Sequence, residues 1–216
     1  VLCQNNIGYD NLTQLLSRAY LELERDEGIP LIPFDWFTHD NCQGLIALSG
    51  GHSGEIGYAL IHQGEADVVL QRYLKLFDNN RFYLEVSRTD QPYDVVHNQA
   101  VFKLAQAQKL PVIANQKVCF VAEEDFEAHE VRVAIRNGYT MEDPNRPKPY
   151  TAKQYLASPE DMAERFHDYP QVLDNTIALA KRCNVTFVLD KPCLPNFPTP
   201  NGQSESEYLA QLSREG

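Results

Sequence analysis

A chain of 216 residues with 43% hydrophobic side chains, ten Phe and eleven Tyr holds ample material for one sizeable core, which excludes global disorder. A formal net charge of −11 argues against a main DNA-binding face, because phosphate contacts need clustered Lys and Arg. No apolar run is long enough to cross a bilayer and no signal peptide is visible, so no membrane role is expected and a cytoplasmic location is.

The chain opens at Val1-Leu2, without an initiator Met, inside a strand-like run, and reads as a fragment. After the turn "QNNIGYDN", Leu12, Leu15, Leu16, Ala19 and Tyr20 recur at helical spacing. "GLIALSG" (44–50) is a short apolar run closed by glycines, the pattern of a buried strand. Ala66, Val69, Leu70, Tyr73, Leu74 and Phe77 mark a second amphipathic helix. "FYLEVSR" (82–88) is the next strand, Val96 to Gln108 the next helix, and "PVIAN" (111–115) the strand after it. A helix around Phe126 to Arg136 ends at Asn137-Gly138. This alternation predicts parallel strands with helices outside, as a barrel or an open sheet.

The pattern changes after Gly138. "TMEDPNRPKPY" carries three prolines and is expected to be irregular. Ser158-Pro159-Glu160-Asp161 starts a helix well, with Ser as N-cap, Pro at the first helical position and acids in the first turn. A further helix spans Gln171 to Arg182, followed by "VTFVL". The stretch 191–202, "KPCLPNFPTPNG", is a proline-rich connector, and Ser204-Glu205-Ser206-Glu207 fits a capping box for a last helix. The expected organisation is one domain over 1–190 and an entry into another over 191–216.

The chemistry-bearing residues are sparse. Five cysteines, Cys3, Cys42, Cys119, Cys183 and Cys193, form no C-x-x-C pair, so free thiols are expected rather than a zinc knuckle or dithiol motif. "SGGHSGEIG" (49–57) is a glycine-rich strand-to-helix turn of the kind that can cradle phosphate, but it matches neither the P-loop nor the dinucleotide fingerprint. Glu85 stands alone in an apolar strand. Alternation puts it on one face with Tyr83 and Ser87, as either a metal ligand, a general base or a buried carboxylate satisfied by a cation or hydrogen bonds. Of His97, His129 and Glu130, His129 lies in a helix without a second His at metal-binding spacing, and no Ser-His-Asp or Cys-His set can be assembled. The residues alone define an α/β domain without a catalytic set.

Several long blocks carry a resemblance: "NNIGYDNLTQLLSRAY", "GLIALSGG", "FYLEVSR", "LPVIAN", "FEAHEVRVAIRNGYTMEDPNRP" and "SPEDMAERFHDYPQVLDNTIALAKRCNV". In this order they resemble the N-terminal polymerase-and-histidinol-phosphatase (PHP) domain of the family of bacterial replicative DNA polymerase III alpha subunits. The resemblance covers essentially the whole chain. It implies a PHP-type distorted (β/α)7 barrel, lacking its first strands in this chain, with a C-terminal helical extension toward the polymerase core.

The resemblance also implies what is missing. The first metal motif of the family, His-x-His, lies upstream of Val1, and the catalytic aspartates of the polymerase palm, with their Mg, lie downstream of Gly216. Members with a metal cluster carry Asn-Asp-Val-His where this chain has Gln116-Lys117-Val118-Cys119, and Cys where it has Gly51. A Lys ammonium offers no lone pair and repels a cation. Gly51, Lys117 and Cys119 thus mark a degenerate former metal site with no catalytic residue and no bound metal, and Glu85 is the expected ion-pair partner of Lys117, directly or through a water.

The implied role is a catalytically inactive scaffold within a DNA-directed DNA polymerase. Its expected partners are the proofreading exonuclease subunit and other replicase subunits, with DNA and dNTPs bound through parts not in this chain. The alternative is an active metal-dependent phosphoesterase, either a 3'-5' exonuclease or a pyrophosphatase. A barrel without its first strands is further expected to self-associate through exposed strand edges.

Overall fold

The structure, a computed structural model, describes residues 1–23, 31–78, 80–192, 195 and 197–216. They fall into two compact units, Val1–Val185 and Thr186–Gly216, where the proline-rich connector had placed the division at 190/191. Cys3, Cys42, Cys119 and Cys183 are free thiols, and Cys193 lies outside the described residues. Among the described residues, no helix is long and apolar enough to cross a membrane.

The first unit is built on a four-stranded sheet in the order β1 (Leu2–Cys3), β2 (Leu45–Leu48), β3 (Phe82–Val86), β4 (Val112–Ala114). The three longer strands run parallel, with Ala47 opposite Phe82 and Glu85 opposite Ile113. β1 departs from the all-parallel expectation and pairs antiparallel with β2, Leu2 opposite Ile46. The cause lies at the start of α1 (Asn6–Glu22). Its Gly8 lies so close to Gly44, the residue before β2, that a Cβ at Gly8 would sit 1.8 Å from the Gly44 oxygen. Asn5 caps the helix by accepting the Gly8 N–H at 3.1 Å, and Gln4 N–H bonds to the Gly44 oxygen at 2.8 Å. The helix therefore starts against the entry to β2 rather than crossing over the sheet, and β1 leaves in the opposite direction.

Alternation divides the sheet into two faces. Phe82, Leu84 and Val86, with Leu45, Ala47, Val112 and Ala114, form one face. It packs on Ile56 of α2 (Glu55–Ile61), Leu70 of α3 (Ala66–Leu74) and Val101 and Leu104 of α4 (Asp94–Gln108). Ile46, Tyr83 and Ile113 form the opposite face against Leu179 of α7 (Gln171–Arg182). The expected strand 82–88 stops at Val86, because Asn98 of α4 takes the next ladder groups. Its Oδ1 accepts the Ser87 N–H at 3.3 Å and its Nδ2 donates to the Ser87 oxygen at 2.7 Å.

Local signals of helix ends hold. Gly138 closes α5 (Phe126–Asn137) at φ 73°, a left-handed conformation that suits glycine. Ser158 and Asp161 exchange reciprocal bonds of 3.1 and 3.0 Å at the start of α6 (Pro159–Arg165). In the second unit, Ser204 and Glu207 do the same for α8 (Glu205–Glu215) at 3.3 and 2.9 Å.

The outer side of β4 is closed by α7. Asn175 Nδ2 donates to the Val112 oxygen at 2.8 Å, and the Thr176 hydroxyl accepts the Ala114 N–H at 3.1 Å. Thr176→Val keeps the shape and removes the acceptor, leaving a buried N–H unpaired. We expect it to lower stability by about 1–3 kcal/mol. A urea titration checks this: the midpoint falls while the slope stays unchanged.

Candidate functional site

The parallel strands β2, β3 and β4 end on the same side, where α/β proteins place their sites. The loops that follow them, together with Pro149 and Gln154, line a cleft of about 400 Å³. Glu85 forms its floor at 3% exposure. One carboxylate oxygen accepts the Gly50 N–H in a short bond, and the other accepts Asn115 Nδ2 at 2.5 Å. The Glu85 N–H in turn donates to the Ser49 hydroxyl at 3.0 Å. A single side chain thus joins the ends of all three strands, with both carboxylate oxygens accepting hydrogen bonds.

The glycine turn is shaped by backbone need. Gly50 and Gly51 adopt φ of 80° and 61°, and a Cβ at Gly57 would lie 2.0 Å from the Gly51 oxygen. Beyond Gly51 itself there is open space. Gly51, Lys117 and Glu85 all line the cleft, so three positions distant in sequence meet there.

The direct form of the expected Lys117–Glu85 ion pair is not made: among the described residues no salt bridge joins them. The Lys117 ammonium lies 5.8 Å from the Tyr150 ring centroid, over its face, while both Glu85 oxygens are held by Gly50 and Asn115. Neutral donors already satisfy the carboxylate, which removes the need for a counter-charge. Cys119 sits further round the loop, its thiol 3.7 Å from the Lys117 oxygen and its N–H bonded to the Gln154 oxygen at 2.8 Å.

The three histidine-region candidates separate in space. His129 is buried with its ring centroid 5.3 Å from that of Phe120 and 4.6 Å from that of Tyr150, and its neighbour Glu130 makes a buried 2.6 Å ion pair with Arg146. His97 lies buried on α4, its ring centroid 6.5 Å from that of His52 in the glycine turn. Among the described residues, no group of three or more His, Cys, Asp or Glu is placed to hold a metal ion.

Sequence reasoning missed Gln91, Asp94 and Gln154. Asp94, the first residue of α4, accepts from Ser87 Oγ at 3.0 Å, Thr89 N–H at 2.7 Å and Gln91 N–H at 3.2 Å, fixing the loop after β3. An acid opening a helix after "SRTDQPY" was the available signal. A second, shallower cavity of about 1160 Å³ runs along α4. There Arg88 grips Asp168 with two bonds of 2.6 and 2.8 Å, which hold the Asp168 carboxyl below its usual range.

Comparison with known proteins agrees with this geometry. A family profile described as PHP domain matches residues 1–89, the stretch that ends just beyond β3. Across its full length the chain is 45% identical to DNA polymerase III subunit alpha of Pseudomonas aeruginosa and to that of Vibrio cholerae, and 44% identical to that of Escherichia coli K12. It spans 18% of the length of each of these relatives. The profile gives residues 1–89 of this mixed α/β unit the pattern of a PHP domain, and over its whole length the chain is similar to the alpha subunits of DNA polymerase III.

The buried histidine predicts a pH dependence. Burial is the main cause that pushes the His97 pKa below its ordinary 6.5, and the neighbouring His52 adds to it. The unfolded chain therefore binds more protons between the lowered value and 6.5. This contribution to stability is fully present above 6.5 and is lost as the pH falls through the folded-state value. Urea midpoints at about pH 7.5 and about pH 5.5 are expected to differ more in the unsubstituted chain than in His97→Gln.

Proposed function

We propose that this chain is the non-catalytic PHP scaffold of a replicative DNA polymerase, and that it docks the proofreading exonuclease subunit. The observation that carries the reading is the cleft itself. Its one floor carboxylate, Glu85, has both oxygens taken by Gly50 and Asn115, and a lysine stands at its rim. An ammonium repels a cation, and Gly51 supplies no ligand side chain, so these residues do not fit a metal cluster. A fold retained around such a cleft supports a role in assembly rather than hydrolysis.

In this reading the four-stranded sheet is part of a distorted (β/α)7 barrel that lacks its first strands in this chain, and α8 belongs to an extension toward the polymerase core. Nucleotidyl transfer, with Mg, DNA and dNTPs, belongs to other parts of the parent protein. The whole acts in the cytoplasm among replicase subunits.

Two measurements test the proposal. Elemental analysis after dialysis is expected to find no stoichiometric Zn, Mn or Fe, with no cleavage of DNA or of a phosphomonoester. Retained metal accompanied by 3'-5' exonuclease or pyrophosphatase activity would establish the alternative, an active phosphoesterase. For docking, the parent polymerase is expected to co-purify with its exonuclease subunit and to lose it when the PHP domain is deleted. Undiminished co-purification after that deletion removes the docking role.

A further inference from the structure

Pro149 and Gln154 line the cleft, and the segment they belong to forms no helix or named strand; its regular pairing is one isolated bridge between Tyr155 and Phe120. Side-chain amides supply most of the remaining ties. Gln154 is 2% exposed, and its amide is fully used. Its Oε1 accepts the Thr151 N–H at 2.9 Å and Gln91 Nε2 at 3.1 Å. Its Nε2 donates to the Lys117 oxygen at 3.3 Å and, more weakly, to the Cys119 sulfur at 3.7 Å. An amide offers two donors and two acceptor sites, so this buried group has none left over.

The neighbours extend the pattern. Gln116 reaches from the β4 loop to the oxygens of Lys153 and Tyr155 at 2.9 and 2.7 Å. Gln91 reaches from the β3 loop to the Pro149 oxygen at 3.0 Å, and the Thr151 hydroxyl bonds to the Thr89 oxygen. Asn115 carries the network on to Glu85, and Glu85 to Gly50.

We infer that this amide network, centred on Gln154, cross-links the strand-end loops of the cleft without help from a metal. The inference rests on the metal-free reading of the cleft given above. Neutral amides suit the task because they avoid the heavy desolvation cost of buried charges, and a fully satisfied network specifies one arrangement. The network also holds the β4 loop by its main chain. The Gln154 side chain donates to the Lys117 oxygen, and the Gln154 main-chain oxygen accepts the Cys119 N–H. The side chain at 117 is thereby free to change while the loop keeps its path.

Hydrogen–deuterium exchange on the full chain tests this, read on peptides covering 115–121 and 149–156, with 82–86 as control. Gln154→Met keeps length and bulk and removes the amide. It is expected to speed exchange about tenfold or more in both loop peptides while the control stays protected. Dialysis against a chelator is expected to change nothing. If Gln154→Met unfolds the whole chain, Gln116→Met, which leaves the Gln154 bonds in place, decides by the same readout. Unchanged loop protection in the deciding variant, with no chelator effect, overturns the network alone. Loss of loop protection on chelation of the unsubstituted chain overturns the network together with the metal-free reading.

Discussion

The cleft depends on one buried carboxylate. Glu85 sits at the end of the central parallel strand and holds a main-chain N–H from the strand end on one side and an amide from the strand end on the other. A buried charge without partners would be prohibitively costly, so the glycine turn and Asn115 are constrained to stay where they meet it. Gly50 can approach because its left-handed backbone carries no side chain. The cleft, its glycine rim and the path of the β4 loop all follow from satisfying this group.

Much of the scaffold was legible because it rests on local chemistry. Helix ends at Ser158, Ser204 and Gly138 involve residues at most a few positions apart, and the two faces of β3 follow from a period of two. The direction of β1 was not legible. It depends on the Gly8–Gly44 approach, a contact between residues far apart in sequence that no periodicity encodes. The end of β3 was misjudged for the same reason, since Asn98 lies on a different element.

The site was legible in part. Glu85, Gly51 and Lys117 stood out by residue type, and they do share a cleft. Their interactions were not legible, because a lysine and a carboxylate in one cleft attract on paper while neutral donors already hold the carboxylate. His129 and Glu130 are adjacent in sequence yet serve separate environments, the histidine among aromatic rings and the glutamate against Arg146. Gln154 gave no signal at all. It lies in an irregular segment without periodicity, and a glutamine announces its role only through the partners that surround it.

The closure of β4 by α7 has a consequence for assembly. A parallel strand exposes alternate main-chain groups on its free side, and a partner can dock there by adding a strand of its own. Here the Val112 oxygen and both outward groups of Ala114 are occupied by Asn175 and Thr176. An incoming backbone would have to displace these side-chain bonds before it could pair with β4. Where they stay in place, a protein that recognises this flank reads side chains of α7, and selectivity is set by residue identity rather than by generic main-chain pairing.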